Sequence, residues 1–282
     1  MLMPTVRRFS DSGTRWTVDD PEALALRIRL NAVHMVAGQG SGYLGQALSA
    51  AEQVAAVFTV ARPGTDRLVC SPGHYVIAPY AAAVALGLLD RSALAAYGAN
   101  GSVVDAIGGE RSPVVDLTCG SLGQGLSAAT GYALADRMRG RDSRTFTLVS
   151  DGEMEEGQVW EAAMFAAHHR LSRLTVLVDA NNSQVDGPVD SVTTIEPLAA
   201  KWASFGWWTA DVDGHDPAAI LTALDAARTQ DARPAVIICR TSTTHGLDSL
   251  PPGTDGHFVT LSAETAARAV AELTRALEEI DA

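Results

Sequence analysis

The chain has 282 residues, enough for one large domain or two small ones. Apolar residues make up 47% and charged residues 19%, the balance of an ordinary folded protein and not of a disordered one. A net charge of −12 argues against nucleic acid or an anionic membrane as a partner, because phosphate-rich surfaces would be repelled.

Cys70, Cys119 and Cys239 are odd in number and far apart. They suit neither a disulfide framework nor a metal cluster, and read as small apolar residues in a reducing compartment. Arg7, Arg8 and Arg15 stand near the amino terminus without the apolar core that a secretory leader needs. The apolar stretch from Ala81 to Leu89 is too short to cross a bilayer, so a cytoplasmic protein is expected.

Asp19-Asp20-Pro21-Glu22 starts a helix, with acid at the cap and proline just inside, that runs to about Ala37. Gly38, Gly40 and Gly42 break it. Ser49-Ala50-Ala51-Glu52 has the capping-box pattern and is expected to open a second helix. Leu68-Val69-Cys70 is a short strand ending at Ser71-Pro72-Gly73. Alanine-rich helices are expected from His74 to Leu89 and from Ser121 to Arg139. The loop from Ala99 to Pro113 between them has a length that usually carries function. A strand at Phe146 to Val149, a helix from Glu155 to Arg170 and a strand at Leu174 to Val178 follow. Then come a helix near Leu198 to Phe205, a strand near Trp207 to Val212, a helix from Pro217 to Arg228 and a last strand at Ala235 to Cys239. This alternation predicts an α/β fold, one domain with a parallel sheet covered by helices on both faces. His168, His169, Trp202, Trp207 and Trp208 read as packing residues.

Chemistry concentrates after two of those strands, in Ser150-Asp151-Gly152-Glu153 and in Asp179-Ala180-Asn181-Asn182. The thirty positions between Asp151 and Asn181 are what one strand–helix–strand unit consumes. Both residues then emerge at the carboxyl ends of parallel strands, where such sheets bind ligands. A carboxylate, an amide oxygen and a main-chain carbonyl are hard donors suited to Mg²⁺ or Ca²⁺. Gly152 allows close approach of a phosphate, and the following helix offers it an amino end. By themselves, Asp-Gly and Asn-Asn are equally good turn formers.

The longer pattern resembles a known family. Asp151-Gly152-Glu153, the run Glu156-Gly157-Gln158-Val159-Trp160-Glu161-Ala162-Ala163, Asp179, Asn181 and Asp186-Gly187 are similar to the thiamine-diphosphate motif of transketolases. Thr118 to Gly125, Ser71-Pro72-Gly73-His74, Glu196-Pro197-Leu198 and Asp213-Gly214-His215-Asp216 extend the resemblance over roughly Gly38 to His257. It implies the pyrophosphate-binding domain of a thiamine-diphosphate enzyme, with thiamine diphosphate and Mg²⁺ or Ca²⁺ as cofactors. Asp151 and Asn181 then bind the metal, with the main-chain oxygen of Ser183, and Gly152 and Glu153 touch the diphosphate. Gly120, Ser121 and Leu122 line the cofactor ring, His74 stands near the diphosphate or reacting centre, and His257 contacts substrate. Glu156 matches an acid that links paired active sites.

The family's pyrimidine-binding domain, with its activating glutamate, is not found before Ala282. The resemblance is therefore to the amino-terminal half of a split transketolase, inactive until a carboxyl-terminal subunit completes a heterotetramer. The implied reaction moves a two-carbon ketol unit from a ketose donor, such as a sugar phosphate, to an aldehyde acceptor. Two departures fall on the substrate side. Ser41-Gly42-Tyr43 replaces a Ser-Gly-His, placing Tyr43 at a catalytic position, and Asp105-Ala106-Ile107-Gly108 lacks a family histidine. Ser150 for glycine is a tolerable small change. The rival readings are the α subunit of a 2-oxo acid dehydrogenase and a non-catalytic stabilising partner.

Overall fold

A computed structural model describes residues 8–11 and 13–280. Helix α1 spans Pro21–Gln39, with the Asp20 carboxylate accepting from the Glu22 and Ala23 amides as expected of a cap. There follow β1 (Ser41–Gly42), α2 (Leu44–Val60), β2 (Arg67–Pro72), a 3₁₀ turn (Gly73–Val76), α3 (Ile77–Ala85), α4 (Ala93–Ala96) and β3 (Leu117–Cys119). Next are α5 (Gln124–Met138), β4 (Thr145–Ser150), a second 3₁₀ turn (Gly152–Glu155), α6 (Gly157–His168) and β5 (Leu174–Ala180). The chain continues through α7 (Val189–Val192), α8 (Leu198–Ser204), β6 (Trp208–Asp213), α9 (Pro217–Gln230), β7 (Ala235–Arg240), β8 (Val259–Thr260) and α10 (Ala263–Ile280).

Six strands form one parallel sheet in the order β3-β2-β4-β5-β7-β6. Its central strands are apolar on both sides because both faces are covered. Leu68, Cys70, Phe146, Leu148, Leu177, Ile237 and Cys239 point into a core shared with α1, α2, α3 and α9. The alternating residues Val69, Val149, Val176, Val178, Val236 and Ile238 point into a second core under α5, α6 and α8. Trp202 and Trp207 lie fully buried in that second core, with ring centroids 4.7 Å apart. Among the described residues no helix is long and apolar enough to cross a membrane.

Several boundaries differ from the sequence reading. Helix α2 begins at Leu44, not at Ser49, and every residue from Leu44 to Phe58 is buried. A capping box works only on amides left free at a helix start. Here the start is fixed five residues earlier, where the Gly45 amide donates to Gly256 O at 3.0 Å. Helix α5 begins at Gln124 because Gly123, at φ 82°, turns the chain out of helical space. Helices α3 and α6 each open through a 3₁₀ turn. His168 lies exposed on α6, not in the core. The strand at Ala235 is not the last, since β8 returns to pair antiparallel with β1 in a separate ribbon. Cys70 and Cys239 are buried and Cys119 half-buried, all as free thiols.

Candidate active site

Register places Ser150 of β4 opposite Asp179 of β5, so Asp151 and Asn181 leave neighbouring strand ends side by side. The Asn182 amide closes the gap by donating to Asp151 Oδ2 at 2.6 Å, and the Gly152 amide donates to Oδ1 at 2.8 Å. Asp179, buried beneath them, is the hub. It accepts from Ser49 Oγ (2.5 Å), Gln53 Nε2 (3.1 Å), Tyr75 Oη (2.7 Å), Asn181 Nδ2 (2.7 Å) and Thr241 Oγ1 (2.5 Å). With its amide nitrogen also donating to Tyr75 Oη at 3.0 Å, Asn181 must present Oδ1 outward. That oxygen accepts from the Ser183 amide at 2.9 Å and keeps a lone pair free.

Burial, and after it the charge of Asp179, pushes the Asp151 carboxyl up to about 7, against the pull of the Asn182 and Gly152 amides. Among the described residues neither Asp151 nor Asp179 has a cationic partner. Two buried carboxylates without a counter-charge, flanked by an amide oxygen, fit a divalent cation of the hard, oxygen-seeking kind.

Glu153 is wholly buried, and its Oε1 accepts from Ser71 Oγ (2.7 Å) and the Gly123 amide (2.8 Å). Burial raises its carboxyl to about 7 although these bonds oppose the shift. The side chain therefore ties the 3₁₀ turn to the Gly120–Gly123 loop. Leu122 lines a cleft of about 70 Å³ together with His74, Tyr75, Gly152, Ser183 and His257. Gly120 and Ser121 lie exposed beside it.

The β1–β8 ribbon makes the other wall. Its register pairs Gly42 with Val259, which sets Tyr43 against Phe258 with ring centroids 5.1 Å apart. His74 is 5.1 Å from the Tyr43 ring and 5.2 Å from His257. Burial, then the neighbouring His257, lowers His74 to about 3, and burial also lowers His257 although Asp255 opposes it. Both imidazoles are thus neutral at physiological pH and act as hydrogen-bonding groups. Gln46 Nε2 lies 3.2 Å from His257 Nδ1, and as donor it leaves the proton of that ring on Nε2.

The structure thus assembles Tyr43, His74, His257, Leu122, Gly152, Asp151, Asn181 and Ser183 at one end of the sheet. Glu156 stands apart: it is exposed at the start of α6, with its side chain beside Gly123. The sequence reading missed Ser49, Gln53, Tyr75 and Thr241 around Asp179, and Gln46 behind His257. A signal for three of them was present, since Gln46, Ser49 and Gln53 fall at helical spacing along one stripe of a largely apolar helix. Glu52, His215 and His245 also converge, but Arg29 Nη1 holds Glu52 at 2.6 Å and the Ser242 amide occupies His215 Nε2. That cluster is an internally satisfied ion pair, poorly suited to a further cation.

Fold and site together define an α/β domain that gathers acidic, amide and imidazole groups around a cleft at the carboxyl ends of a parallel sheet. Residues 21–276 match the model of the transketolase thiamine diphosphate binding domain. A transketolase family protein of Sinorhizobium fredii is 38% identical over 87% of this chain and 92% of its own length. The 6-deoxy-6-sulfo-D-fructose transketolase subunit of a Clostridium species is 36% identical over 87% of this chain and 93% of its length. Among solved structures, a Pichia stipitis transketolase in complex with fructose 6-phosphate superposes with a TM-score of 0.79 at 27% identity, over 92% of this chain. The chain spans only 44% of that protein. The chain belongs to the transketolase family and is a transferase subunit of the thiamine-diphosphate-binding kind. The 2-oxo acid dehydrogenase reading finds no support in these relatives.

Proposed function

We propose that this chain is the cofactor-binding subunit of a two-subunit transketolase, completed by a separate polypeptide that carries the pyrimidine-binding domain and its activating glutamate. The observation that carries this reading is the open cleft. Its volume of about 70 Å³ is far below the roughly 300–1,000 Å³ that encloses a ligand of cofactor size. A second wall from another chain accounts for the difference. A heterotetramer in the cytoplasm is the arrangement that the family pattern and the exposed Glu156 suggest.

Asp151, Asn181 and the main-chain oxygen of Ser183 would hold Mg²⁺ or Ca²⁺, and Gly152 would let the diphosphate approach. Glu153 fixes the Gly120–Gly123 loop through Ser71 and Gly123. Thiamine diphosphate, when bound, supplies the carbanion stabilisation that ketol transfer needs. Leu122 offers an apolar contact to its ring. His74, His257 and Tyr43 stand where neutral donors can orient a ketose or aldehyde through its hydroxyls. With Tyr43 in place of an imidazole and Ile107 exposed at 49%, the acceptor pocket is less polar than a hydroxyl-rich sugar phosphate prefers. An unusual aldehyde, in a specialised pathway, fits it better. The relative named for a sulfonated sugar lends support to such specialisation.

The test is a titration of thiamine diphosphate and Mg²⁺ into the assembled protein carrying Asp151→Ala. Asp151 is the only full charge among the proposed metal ligands, so metal-dependent binding should vanish while circular dichroism stays that of the parent. Binding near the parent level would sink the metal assignment.

A further inference from the structure

At the opposite end of the sheet lies a much larger cavity, about 630 Å³, that ketol transfer does not use. Phe146 and Thr175, at the amino ends of β4 and β5, reach into it, whereas Asp151 and Asn181 follow the carboxyl ends of the same strands. The strand rise separates the two places by roughly 16 Å. Val60 and Leu224 add an apolar wall, and Val60 is 40% exposed there.

The polar lining is cationic in a protein of net charge −12. Arg62, Arg144, Arg173 and Arg228 face three aspartates. Asp66 is spent on Arg62 at 2.7 Å, Asp225 on Arg228 at 2.6 Å, and Asp142 bridges Arg62 and Arg173. Asp66 Oδ1 accepts from the main-chain amide of Arg144 at 2.8 Å, but among the described residues the Arg144 guanidinium pairs with no carboxylate, and its Nη2 reaches only the Arg228 carbonyl at 3.4 Å. Burial, then the charge of Arg173, lowers its pKa, although Asp231 and Asp66 oppose the shift. The Arg228–Asp225 pair beside it is a weak hold. Arg228 and Asp225 are both more than 60% exposed, and such pairs contribute little, so Arg228 can turn to a new anion at small cost.

We propose that this cavity is a second ligand site, for a phosphomonoester whose phosphoryl group pairs with Arg144 and draws in Arg228, and whose organic part lies against Val60 and Leu224. Arginine forks match phosphate oxygens in pairs, and the volume is that of a nucleotide-sized ligand. The site is independent of the cofactor reading, because it shares no residue with the cleft.

Titration calorimetry of the full chain tests it with three probes: adenosine 5′-monophosphate, inorganic phosphate and adenosine. The expected result is saturable one-to-one binding of the nucleotide, weaker binding of phosphate and none of adenosine. Arg144→Gln should weaken the nucleotide roughly tenfold, the loss of a charge-assisted pair. Arg144→Lys, which keeps the charge, should retain most of the affinity and guards against a folding defect. Asp151→Ala should leave binding unchanged, which separates this site from the cofactor cleft. The proposal is overturned if neither phosphate probe binds saturably, if Arg144→Gln binds as the parent does, if adenosine binds as well as its phosphate, or if Asp151→Ala abolishes binding.

Discussion

His74 shows how one half-buried side chain couples the site to the stability of the chain. Unfolded, it takes up a proton near pH 6.5; folded, it does so only near 3. Between those values the unfolded state holds more protons, so this contribution is fully present above about 6.5 and drains away as the pH falls toward 3. Without added cofactor, denaturant midpoints followed across that window should fall less steeply for His74→Gln than for the parent. Parallel curves would show that His74 is solvated in the free chain. Tyr43 gives the companion test. Its ring packs on His74 and Phe258, so Tyr43→Phe should leave that aromatic packing and cofactor binding intact. Losing the hydroxyl should cost about 0.5–1.5 kcal/mol, roughly two- to tenfold in transfer efficiency to the true acceptor. Aldehydes with few hydroxyls should outperform ribose 5-phosphate on the assembled enzyme. If ribose 5-phosphate gives the highest kcat/KM, Tyr43 simply stands in for a histidine.

Helix α2 governs the site at the scale of elements. It is buried all round, and its polar stripe serves two ends: Ser49 and Gln53 hold Asp179, while Gln46 meets His257. Glu52, off that stripe, clamps α2 to α1 through Arg29, with both side chains almost fully buried. Its amino end meets the loop carrying His257 so closely that a Cβ on Gly45 would collide with Gly256 O. Gly256, at φ 80° and pressed on Thr243, has no room to retreat. Gly45→Ala should therefore destabilise by about 1–3 kcal/mol. It should also displace His257, so that turnover falls far more than thiamine diphosphate affinity. A variant with parental melting temperature and parental activity would show that the loop yields freely. The capping-box reading of Ser49 to Glu52 failed for the same reason that makes this helix important. Its polar residues look outward in a local pattern, and only packing reveals that every side faces protein.

For the whole molecule, the two-subunit proposal makes the cleft one wall of a site. Ile107, Val185 and Phe258 are exposed at 49%, 78% and 54%, and Val185 and Phe258 belong to the loops that bound the cleft. Apolar side chains so placed are suited to burial against another subunit. The purified chain should accordingly show no ketol transfer by itself and gain it on adding the partner, with these side chains protected from solvent labelling in the complex. Turnover by the chain alone would refute the two-subunit reading.

The alternation of strands and helices was legible in the residues alone, because apolar runs of strand length between alanine-rich helical stretches leave a parallel sheet as the simple solution. So was the neighbourhood of Asp151 and Asn181, because residues that follow adjacent parallel strands must meet at one end of the sheet. What surrounds them came from segments far apart along the chain. Asp179 draws its five partners from α2, the turn before α3, the segment after β5 and the segment after β7. Tyr43 meets His257 through a two-residue ribbon too short to announce itself. The arginine cavity likewise joins residues from α2, β4, β5 and α9 that no local spacing relates. Periodicity reports the burial of each element against its own neighbours in sequence, whereas a site is made by contacts between elements that are distant along the chain.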